Sequence, residues 1–398
     1  MTKKQAIIRG LKSFDYLLAL CVIGVGIFGV AMIYTSSNHI GMPAREAALF
    51  GGLWRQQRMF IITGTVLMLI FACIDYRHIT RLYLFIYGFM MLLLIAVMLI
   101  GADDATSTAR WLPIPMPVIG PLSLQPSEFA KIFMILFLSK FLDVKKDDFN
   151  RIHWLILVLI AIAVPFYLVL EQPSLSAALV VLFVSIVILF TAGLKLRYIL
   201  LGILVITPIL VLIWFDLQRE TPIILGSILR DYQLDRIQAA LSADPNPDAV
   251  LQVAGSRRAI ASGGLTGQGF RNNQIYLIVA HNDLIFSVMA EQFGFVGGVV
   301  LIGIVMLMVI KCLLIGLRAI DIQGRLIAVG VAGLLIFETF VHVGVVTGLL
   351  PTTGMPFPFL SYGGSMIWVH MIAMGIVLNI GLKRDVDELT DDDIVISI

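Results

Sequence analysis

Charged side chains are scarce in this chain of 398 residues: Asp, Glu, Lys and Arg make up 14% of it, whereas hydrophobic residues make up 59%. A soluble globular domain carries about 25% charged residues, so this composition, with apolar runs of roughly 20 residues recurring from end to end, excludes that class. The three cysteines, Cys21, Cys73 and Cys312, lie in or beside apolar segments without CxxC spacing. This pattern indicates neither a disulfide framework nor a zinc site. The sequence predicts a polytopic membrane protein.

Ten apolar segments are long enough to cross a bilayer as helices. The predicted spans are 14–34, 57–75, 82–101, 126–142, 153–170, 175–193, 197–215, 284–312, 326–348 and 365–382. The first follows a basic N-terminus and superficially resembles a signal peptide, but it is long enough to span and lacks a clear small-residue cleavage site. We therefore expect an all-α fold of about ten transmembrane helices, forming a single integral membrane domain over 1–398 with a retained first span.

Basic residues are distributed unevenly between the two sides of these spans. With the N-terminus inside, 17 of the 28 lysines and arginines fall in cytoplasmic segments, ten fall in outer segments, and Lys131 lies inside a span. Because short cytoplasmic loops carry an excess of Lys and Arg, both termini are predicted to be cytoplasmic. The polar connection 216–283 then faces outward. The acidic tail 383–398 has no apolar face and is predicted to be a mobile cytoplasmic end.

The outer connection 216–283 is too long for a structureless loop in a compact domain unless it has a function. Apolar spacing predicts a membrane-surface helix over 232–241. A glycine-rich stretch follows, containing Gly263, Gly264, Gly267 and Gly269. Glycine lets a backbone turn tightly or approach a ligand closely. Such clusters are mostly turns, and no strand precedes this one to make a phosphate-binding unit.

One carboxylate stands where the outer connection becomes an apolar helix. The stretch 281–294 reads HNDLIFSVMAEQFG, and Asp283 precedes its apolar part. An ionisable residue at a membrane border is costly, which makes it a functional candidate. Asp is also among the best helix N-caps, so capping is the alternative role, and the two roles can coexist. Local sequence leaves both open.

A pair of opposite charges opens the fourth span, which begins LQPSEFAKIF. Glu128 and Lys131 are one helical turn apart, and such a pair partly neutralises itself. The alternative is a snorkelling lysine beside a capping-box glutamate. Continuous apolar sequence on the deep side of Lys131 favours a functional pair.

Two links between spans break the apolar pattern. Residues 171–174, EQPS, are consistent with a tight turn. Residues 350–365, LPTTGMPFPFLSYGGS, contain three prolines and a glycine pair, which predicts irregular backbone. Irregular backbone at membrane depth is tolerated only when it is buried in protein or lines a wet cavity. The composition of 350–365 therefore indicates more than a plain loop.

Four motifs occur in the order LQPSEFAK, SGGLTGQGF, HNDLIFSVMAEQFG and LLPTTGMPFPFLSYGGS, at matching places among the predicted spans. Together they resemble the RodA/FtsW/SpoVE (SEDS) family of peptidoglycan polymerases, and the resemblance runs from the first span to the tenth. It implies a glycosyltransferase that polymerises lipid II into glycan strands outside the bacterial cytoplasmic membrane, for elongation, division or sporulation. It further implies a class B penicillin-binding protein as crosslinking partner, and no nucleic acid.

The resemblance also implies roles for individual residues. Asp283 matches the essential aspartate of the family's HxD motif. Substrate binding is implied for residues of the other motifs, namely Arg55, Arg110, Gln125, Ser127, Glu128, Lys131, Ser361 and Gly363. The sequence departs from the family pattern at four places. Ser174 stands where the family often has an acid, His342 where it usually has Asn, and Met366 where it has Ser or Ala. Residues 277–279 replace the family's Glu or Pro features just before HxD. None of them touches Asp283.

The chemistry of lipid II agrees with this assignment. Its pyrophosphate calls for cations at the outer interface, and Arg55 and Arg110 suit because guanidinium groups bind phosphate oxygens bidentately. Displacement of pyrophosphate by a sugar hydroxyl profits from a base, which would be Asp283. The same carboxylate could instead hold a divalent cation, Mg²⁺ or Mn²⁺, and the sequence does not separate the two roles.

Two other classes of function compete with polymerisation. Polar breaks in helices and an intramembrane Glu/Lys pair also suit a flippase or transporter of lipid-linked precursors. That alternative ranks second, because the polar residues gather toward the outer face rather than the midplane. A non-enzymatic scaffold for cell-wall partners is the third hypothesis.

Overall fold

The computed structural model describes residues 14–38, 41–103, 109–116, 120–146, 148–172, 174–217, 247–277 and 280–395. Its helices in chain order are α1 (Tyr16–Ser37), α2 (Ala44–Phe50), α3 (Leu53–Cys73), α4 (Tyr76–Arg81), α5 (Tyr83–Ile100), α6 (Pro126–Val144), α7 (Ile152–Glu171), α8 (Leu175–Thr191), α9 (Leu196–Leu217), α10 (Pro247–Gly263), α11 (Ile285–Leu317), α12 (Ile322–Val346) and α13 (Gly364–Val395). Short strands β1 (Ala102–Asp103), β2 (Ala109–Met116) and β3 (Gly120–Leu124) lie between α5 and α6.

Each of the ten predicted spans coincides with a helix, and these helices are α1, α3, α5 to α9 and α11 to α13. Within the described ranges, seven helical segments are long and apolar enough to cross a membrane, one of them combining α2 and α3 over Ala44–Cys73. Helix α8 is apolar but shorter, and α6 carries charged residues along its length. The predicted fold class, an all-α polytopic membrane protein, is confirmed.

Helices α12 and α13 form the centre of the bundle. Helix α13 packs against α3, and α12 packs against α6, α8 and α11. Most residues of α12 and of the apolar part of α13, Gly364–Lys383, are buried, whereas α5 exposes Leu84, Leu92 and Leu99. Those exposed apolar side chains suit contact with lipid, since the outer surface of a membrane bundle meets hydrocarbon rather than water.

The connection between α5 and α6 contains a small antiparallel sheet that the sequence did not predict. Strand β2 pairs with β1 on one side and β3 on the other, with Leu112 opposite Leu124. The segment has no regular alternation and contains several prolines, which weakens any strand signal. The sheet places Arg110 at the start of β2.

The acidic tail, predicted to be a mobile cytoplasmic end, is helical as far as Val395, whereas its mobility and its location stay predictions. Helix α13 runs without interruption from the tenth span to Val395. Extending an existing helix adds a hydrogen bond for each ordered residue and needs no new nucleus, so a polar sequence can continue it. In the outer connection, α10 is regular, while the predicted helix 232–241 lies outside the described residues.

The predicted span 284–312 is broken near its start. Gly294 has φ 66° and ψ −165°, which interrupts the helical backbone of α11. The glycine-rich segment 264–269 bridges this break through its own backbone. The backbone amides of Gln268 and Gly269 donate to the carbonyls of Glu291 and Gln292 at 2.9 and 3.0 Å. The backbone carbonyls of Gly264 and Leu265 accept from the amides of Phe295 and Val296 at 2.9 and 3.1 Å.

These contacts explain the glycine cluster. At Gly267, where φ is 84°, a Cβ atom would lie 2.1 Å from the carbonyl oxygen of Gln292. Only glycine permits both that conformation and that approach. The carboxylate of Glu291 then accepts from the amides of Gln274 and Ile275 at 2.8 and 3.0 Å, which fixes the chain leading to Asp283. The glycine-rich motif therefore approaches the backbone of α11.

Candidate active site

A cavity of about 310 Å³ lies at the end of the bundle where the connections predicted to face outward meet. Its wall is built from β2, the start of α6, the start of α8, the turn before α11, the irregular segment 351–363 and the start of α13. The chain segments after the third, fifth, seventh and ninth spans supply this wall, and in an alternating bundle those segments share one side of the membrane. Four stretches that the sequence singled out, at 125–131, 171–174, 281–294 and 350–365, therefore contribute residues to one site.

Six of the predicted site residues line this cavity: Arg110, Gln125, Glu128, Lys131, Asp283 and Gly363. Three others lie elsewhere. Arg55 is exposed in the first turn of α3 with its guanidinium 5.4 Å from the Trp54 ring centre, and Ser127 is buried outside the cavity wall. Ser361 is also buried, and its hydroxyl donates to the carbonyl of Asn282 at 2.7 Å. Ser361 thus positions the backbone next to Asp283.

The turn that carries Asp283 is fixed from both sides by segment 350–365. The amide of Tyr362 donates to the carbonyl of His281 at 2.9 Å, and Ser361 binds the next carbonyl. Helix α11 begins at Ile285 with Leu284 as its N-cap residue. The alternative in which Asp283 is the N-cap is therefore wrong: the turn extends one residue further, and Asp283 faces the cavity.

The irregular segment itself is buried, as its composition predicts. Phe357, Phe359 and Leu360 are fully inaccessible, and the hydroxyl of Ser361 accepts from the amide of Phe357 at 2.8 Å. Gln57 of α3 donates to the carbonyl of Ser361 at 3.0 Å and accepts from the amide of Gly363. Side chains thus satisfy backbone groups that no helix or sheet satisfies, which is the condition for irregular backbone at membrane depth.

Lys131 is the deepest charge in the cavity wall. Its side chain is 1% exposed, and its Nζ lies 2.8 Å from Glu128 Oε2 and 2.7 Å from Glu338 Oε1. The snorkelling alternative is therefore wrong, because Lys131 does not reach the solvent. The capping-box alternative is also wrong, since the amide of Gln125 donates to the hydroxyl of Ser365 at 2.9 Å rather than to Glu128.

Two buried residues extend this ion pair and were missed by the sequence analysis. Glu338 of α12 contacts Lys131 through one oxygen and His370 Nε2 of α13 through the other, at 2.6 Å. Glu338 could have been found from sequence, because it is a lone carboxylate within the apolar span 326–348, and the same kind of position singled out Lys131. His370 gave no comparable signal, because a lone histidine in a helix commonly has a structural role.

Several polar atoms in the cavity wall have no hydrogen-bond partner among the described residues. These include Asn282 Oδ1 and Thr353 Oγ1, both buried. A buried polar atom left unpaired costs about 1–3 kcal/mol, so such atoms in a cavity wall suit a polar ligand. Because Asn282 directly precedes Asp283, the unpaired Asn282 Oδ1 belongs to the residue next to the candidate carboxylate.

Two ionisable neighbours of Asp283 are held in their neutral forms by burial. Burial lowers the pKa of His281 to about 4 and raises the pKa of Tyr362 to about 12. The His281 ring stacks at a tilt against Phe50, 4.8 Å away, and edge-on to Tyr362. At neutral pH neither side chain carries a charge, so Asp283 and Glu128 are the acidic groups of the cavity and Arg110 and Lys131 the basic ones.

A protein-built metal centre does not arise in the described part of the chain, where no group of three or more His, Cys, Asp and Glu side chains could hold an ion. Asp283 supplies a single carboxylate. Mg²⁺ is often bound by one or two carboxylates together with substrate phosphates, so Asp283 could hold such an ion only with oxygens from the substrate. The side chains present fit a base at least as well as a metal ligand.

Comparison with known proteins assigns the chain to a family. A sequence model of the FtsW/RodA/SpoVE family, described as a cell cycle protein, matches residues 15–385. The chain is 33% identical over 393 residues to a probable peptidoglycan glycosyltransferase FtsW of Trichlorobacter lovleyi, covering 96% of this chain and 97% of that protein. It is 30% identical over 378 residues to the peptidoglycan glycosyltransferase MrdB of Escherichia coli K12, covering 93% and 94%.

Two solved structures resemble the whole fold. One is described as a peptidoglycan synthase complex that coordinates polymerization and crosslinking, with a TM-score of 0.73, 27% identity, and coverage of 93% of this chain and 98% of that one. The other is the rod shape determining protein RodA of Thermus thermophilus, with a TM-score of 0.65, 27% identity, and coverage of 93% and 97%. Motifs, fold and relatives agree, and the chain belongs to the FtsW/RodA/SpoVE family of polytopic membrane proteins.

Proposed function

We propose that this protein is a peptidoglycan glycosyltransferase that polymerises lipid II at the outer face of the bacterial cytoplasmic membrane, with Asp283 as the catalytic base. The observation that carries the proposal is the cavity itself, in which the carboxylate of Asp283 shares a wall with Arg110 and Lys131. The names of the relatives support the reaction class. The geometry supports the assignment of roles within it.

The reaction joins two glycan units and releases a lipid pyrophosphate. A sugar hydroxyl attacks the anomeric carbon of the other unit, the bond from that carbon to the pyrophosphate oxygen breaks, and the hydroxyl proton passes to Asp283. A positioned base contributes about 10² to 10⁴ in rate. Arg110 and Lys131 are the cations of the cavity, and they stabilise the charge that develops on the leaving pyrophosphate.

The neutral residues of the wall would bind the sugars. Gln125, Asn282 and Thr353 present amide and hydroxyl groups to the cavity, and two of these residues have a buried oxygen unpaired among the described residues. Sugar hydroxyl and acetamido groups can supply the missing hydrogen bonds. Their loss costs more than an ordinary surface contact, because it leaves the wall atoms buried without partners.

Membrane orientation and partners follow from the same proposal. Both termini are cytoplasmic, as the distribution of lysine and arginine predicts, so the cavity faces outward. The partner is a class B penicillin-binding protein that crosslinks the strands made here. The support is that a similar solved structure is described as a complex coordinating polymerization with crosslinking. The chain would act in elongation or division, since its family is described as a cell cycle protein and a similar solved structure is a rod shape determining protein.

Asp283→Asn in purified protein tests the catalytic role. Asn is nearly isosteric, and the turn is held by backbone contacts of His281 and Asn282, so the variant should retain wild-type abundance and partner binding. Polymerisation of lipid II should fall by about 10² to 10⁴. The matched control is Asp143→Asn, which affects a partly exposed pair with Lys140 and should leave activity unchanged. Near-normal polymerisation by Asp283→Asn would refute the assignment.

The assay also separates the competing functions. Detergent micelles have no second compartment, so a protein that only transports precursors forms no polymer in them. If polymer forms, a metal role for Asp283 predicts a dependence on Mg²⁺ or Mn²⁺ that the Asn variant shifts. A base predicts a pH profile whose acidic limb disappears with the carboxylate.

A further inference from the structure

The buried ion pair in the cavity wall is part of a larger group of four ionisable residues. Lys131 donates a hydrogen bond to Glu338 and forms an ion pair with Glu128, and Glu338 contacts His370 with its second oxygen. Glu128 and Lys131 line the cavity, whereas Glu338 and His370 lie behind it and are 0% exposed. The latter two cannot touch a substrate. Any effect they have must pass through Lys131.

The hydrogen bonds of His370 determine its protonation. Its Nδ1 lies 2.8 Å from the carbonyl oxygen of Met366, and a carbonyl oxygen only accepts, so Nδ1 carries a hydrogen. Its Nε2 lies 2.6 Å from a carboxylate oxygen of Glu338. An ionised carboxylate also only accepts, so Nε2 must carry a hydrogen as well. A ring with hydrogens on both nitrogens is an imidazolium.

The position of the proton between Glu338 and His370 follows from their surroundings. The ammonium of Lys131 contacts the other oxygen of Glu338 at 2.7 Å, which favours the ionised carboxylate. The titratable groups that act on His370 are Glu338, Lys131 and Glu128, and its nearest aromatic contact is the ring of Phe359 at 5.4 Å. An imidazole is also intrinsically more basic than a carboxylate. The proton therefore resides on His370.

The proton on His370 sets the net charge of the group of four residues. Two carboxylates and one ammonium leave a net charge of −1, and the imidazolium brings the group of four to zero. Buried charges are tolerated when they are paired, so removal of this one proton leaves an uncompensated carboxylate behind the cavity wall. Lys131 would then be neutralised by two carboxylates. The net charge of these four residues, beside the proposed pyrophosphate site, would change from zero to −1.

We propose that Glu338 and His370 are positioning residues that hold one buried proton and thereby keep the positive charge of Lys131 available to the pyrophosphate of the substrate. This inference rests on the proposed function, in which Lys131 faces an anionic leaving group. It adds an assignment: His370 sets the electrostatic potential of the site without contacting substrate.

A charge-balance cycle tests the effect on substrate. His370→Gln keeps a hydrogen-bond donor to Glu338 but cannot carry the extra proton, so the group of four becomes net −1. We expect the KM for lipid II to rise by about 10- to 100-fold, the range for loss of one hydrogen bond to a charged group, with a smaller change in kcat. The double variant Glu338→Gln/His370→Gln is neutral again and should recover most of the KM.

Two controls keep this cycle interpretable. His153→Gln makes the same substitution at an exposed histidine in the first turn of α7 and should leave KM unchanged. Unfolding midpoints of all variants show whether a loss reflects folding alone, since a merely structural role would move the midpoint and kcat together without recovery in the double variant. An unchanged KM in His370→Gln, or no recovery in the double variant, would overturn the proposed effect on substrate.

Protonation can be measured independently of activity. The chain contains six histidines, so ¹⁵N-histidine labelling gives few signals, and the signal missing in His370→Gln identifies residue 370. We expect an imidazolium pattern for His370 at neutral pH in the wild type and a neutral ring in Glu338→Gln. A neutral His370 in the wild type would refute the inference and leave the role of Asp283 untouched. Conversely, active Asp283→Asn protein would refute the catalytic assignment without altering this spectrum.

Discussion

Replacing Gly294 by alanine should separate the outer connection from the helix that follows Asp283. Gly294 breaks α11 with φ 66° and ψ −165°, a conformation essentially restricted to glycine. An added Cβ would lie 2.4 Å from the amide nitrogen of Gly267 and 2.5 Å from the carbonyl oxygen of Leu265. Both are backbone atoms, so no side-chain rotation can relieve the contact. Segment 264–269 must move.

The cost has two parts. A non-glycine residue in this region of backbone space costs about 1–3 kcal/mol. Movement of segment 264–269 also breaks the four backbone hydrogen bonds that bridge the helix break, each of which contributes about 0.5–1.5 kcal/mol. The free energy of unfolding should therefore fall by at least about 3 kcal/mol. Because Glu291 fixes the chain that leads to Asp283, activity should fall as well.

Unfolding in detergent measures the loss of stability, and the polymerisation assay measures the loss of activity. The matched control is Gly303→Ala, nine positions further along α11, where an added Cβ meets no atom within 4 Å. Alanine is intrinsically the better helix former by about 1 kcal/mol, so this control should be as stable as the wild type or slightly more stable. If Gly294→Ala matched Gly303→Ala in stability and activity, the bridging role of the glycine-rich segment would be refuted.

The ion pairs give two further predictions, and the buried histidine and the membrane orientation give one each. Lys131→Met leaves two buried carboxylates without their lysine and should lower the free energy of unfolding by about 3–5 kcal/mol. The control Lys140→Met removes a partly exposed ion pair and should cost less than about 1 kcal/mol. Equal losses in denaturant unfolding would contradict the buried network. Exchanging the charges of Glu128 and Lys131 should not restore stability, because the new carboxylate would face Glu338; full recovery would disprove that contact. Burial lowers the pKa of His281 from 6.5 to about 4, so the unfolded chain binds a proton first as pH falls, and stability should be fully present above pH 6.5 and decrease by up to about 3 kcal/mol toward pH 4. His281→Gln should flatten that part of the stability curve, and an unaltered curve would exclude His281 as its source. Thr266→Cys in a cysteine-free background should react with an impermeant thiol reagent added outside intact cells; labelling only after permeabilisation would invert the proposed topology.

The spans could be predicted from sequence because a bilayer imposes a length and an apolar composition on each helix. The break at Gly294 could not, since glycine is common in membrane helices and its φ depends on a partner segment about 30 residues earlier in the chain. The strands before α6 were also missed. Their proline-rich sequence lacks the alternation by which a half-buried strand is recognised.

The site was predictable to the extent that each polar group broke an apolar pattern. Asp283, Lys131 and segment 350–365 did so, and the structure brings them to one cavity. The resemblance to the family supplied Arg110 and Gln125, which local sequence alone would not have selected. Arg55 matched a motif but lies outside the cavity wall, because its place in the first turn of α3 directs it to Trp54. Glu338 and His370 become significant only when α6, α12 and α13 are packed together.

The long sequence separation within the ion network constrains how the chain enters the membrane. Lys131 is synthesised 207 residues before Glu338, an interval of roughly 10–40 s at ordinary rates of translation. A lone lysine can make insertion of a helix unfavourable by up to about 3 kcal/mol, and in that interval Glu128 is the only member of the network available to it. Helix α6 must therefore stay near the insertion machinery, or at the edge of the partly built bundle, until α12 and α13 emerge. Fragments that end before Glu338 should leave α6 poorly inserted, whichever activity the full chain has.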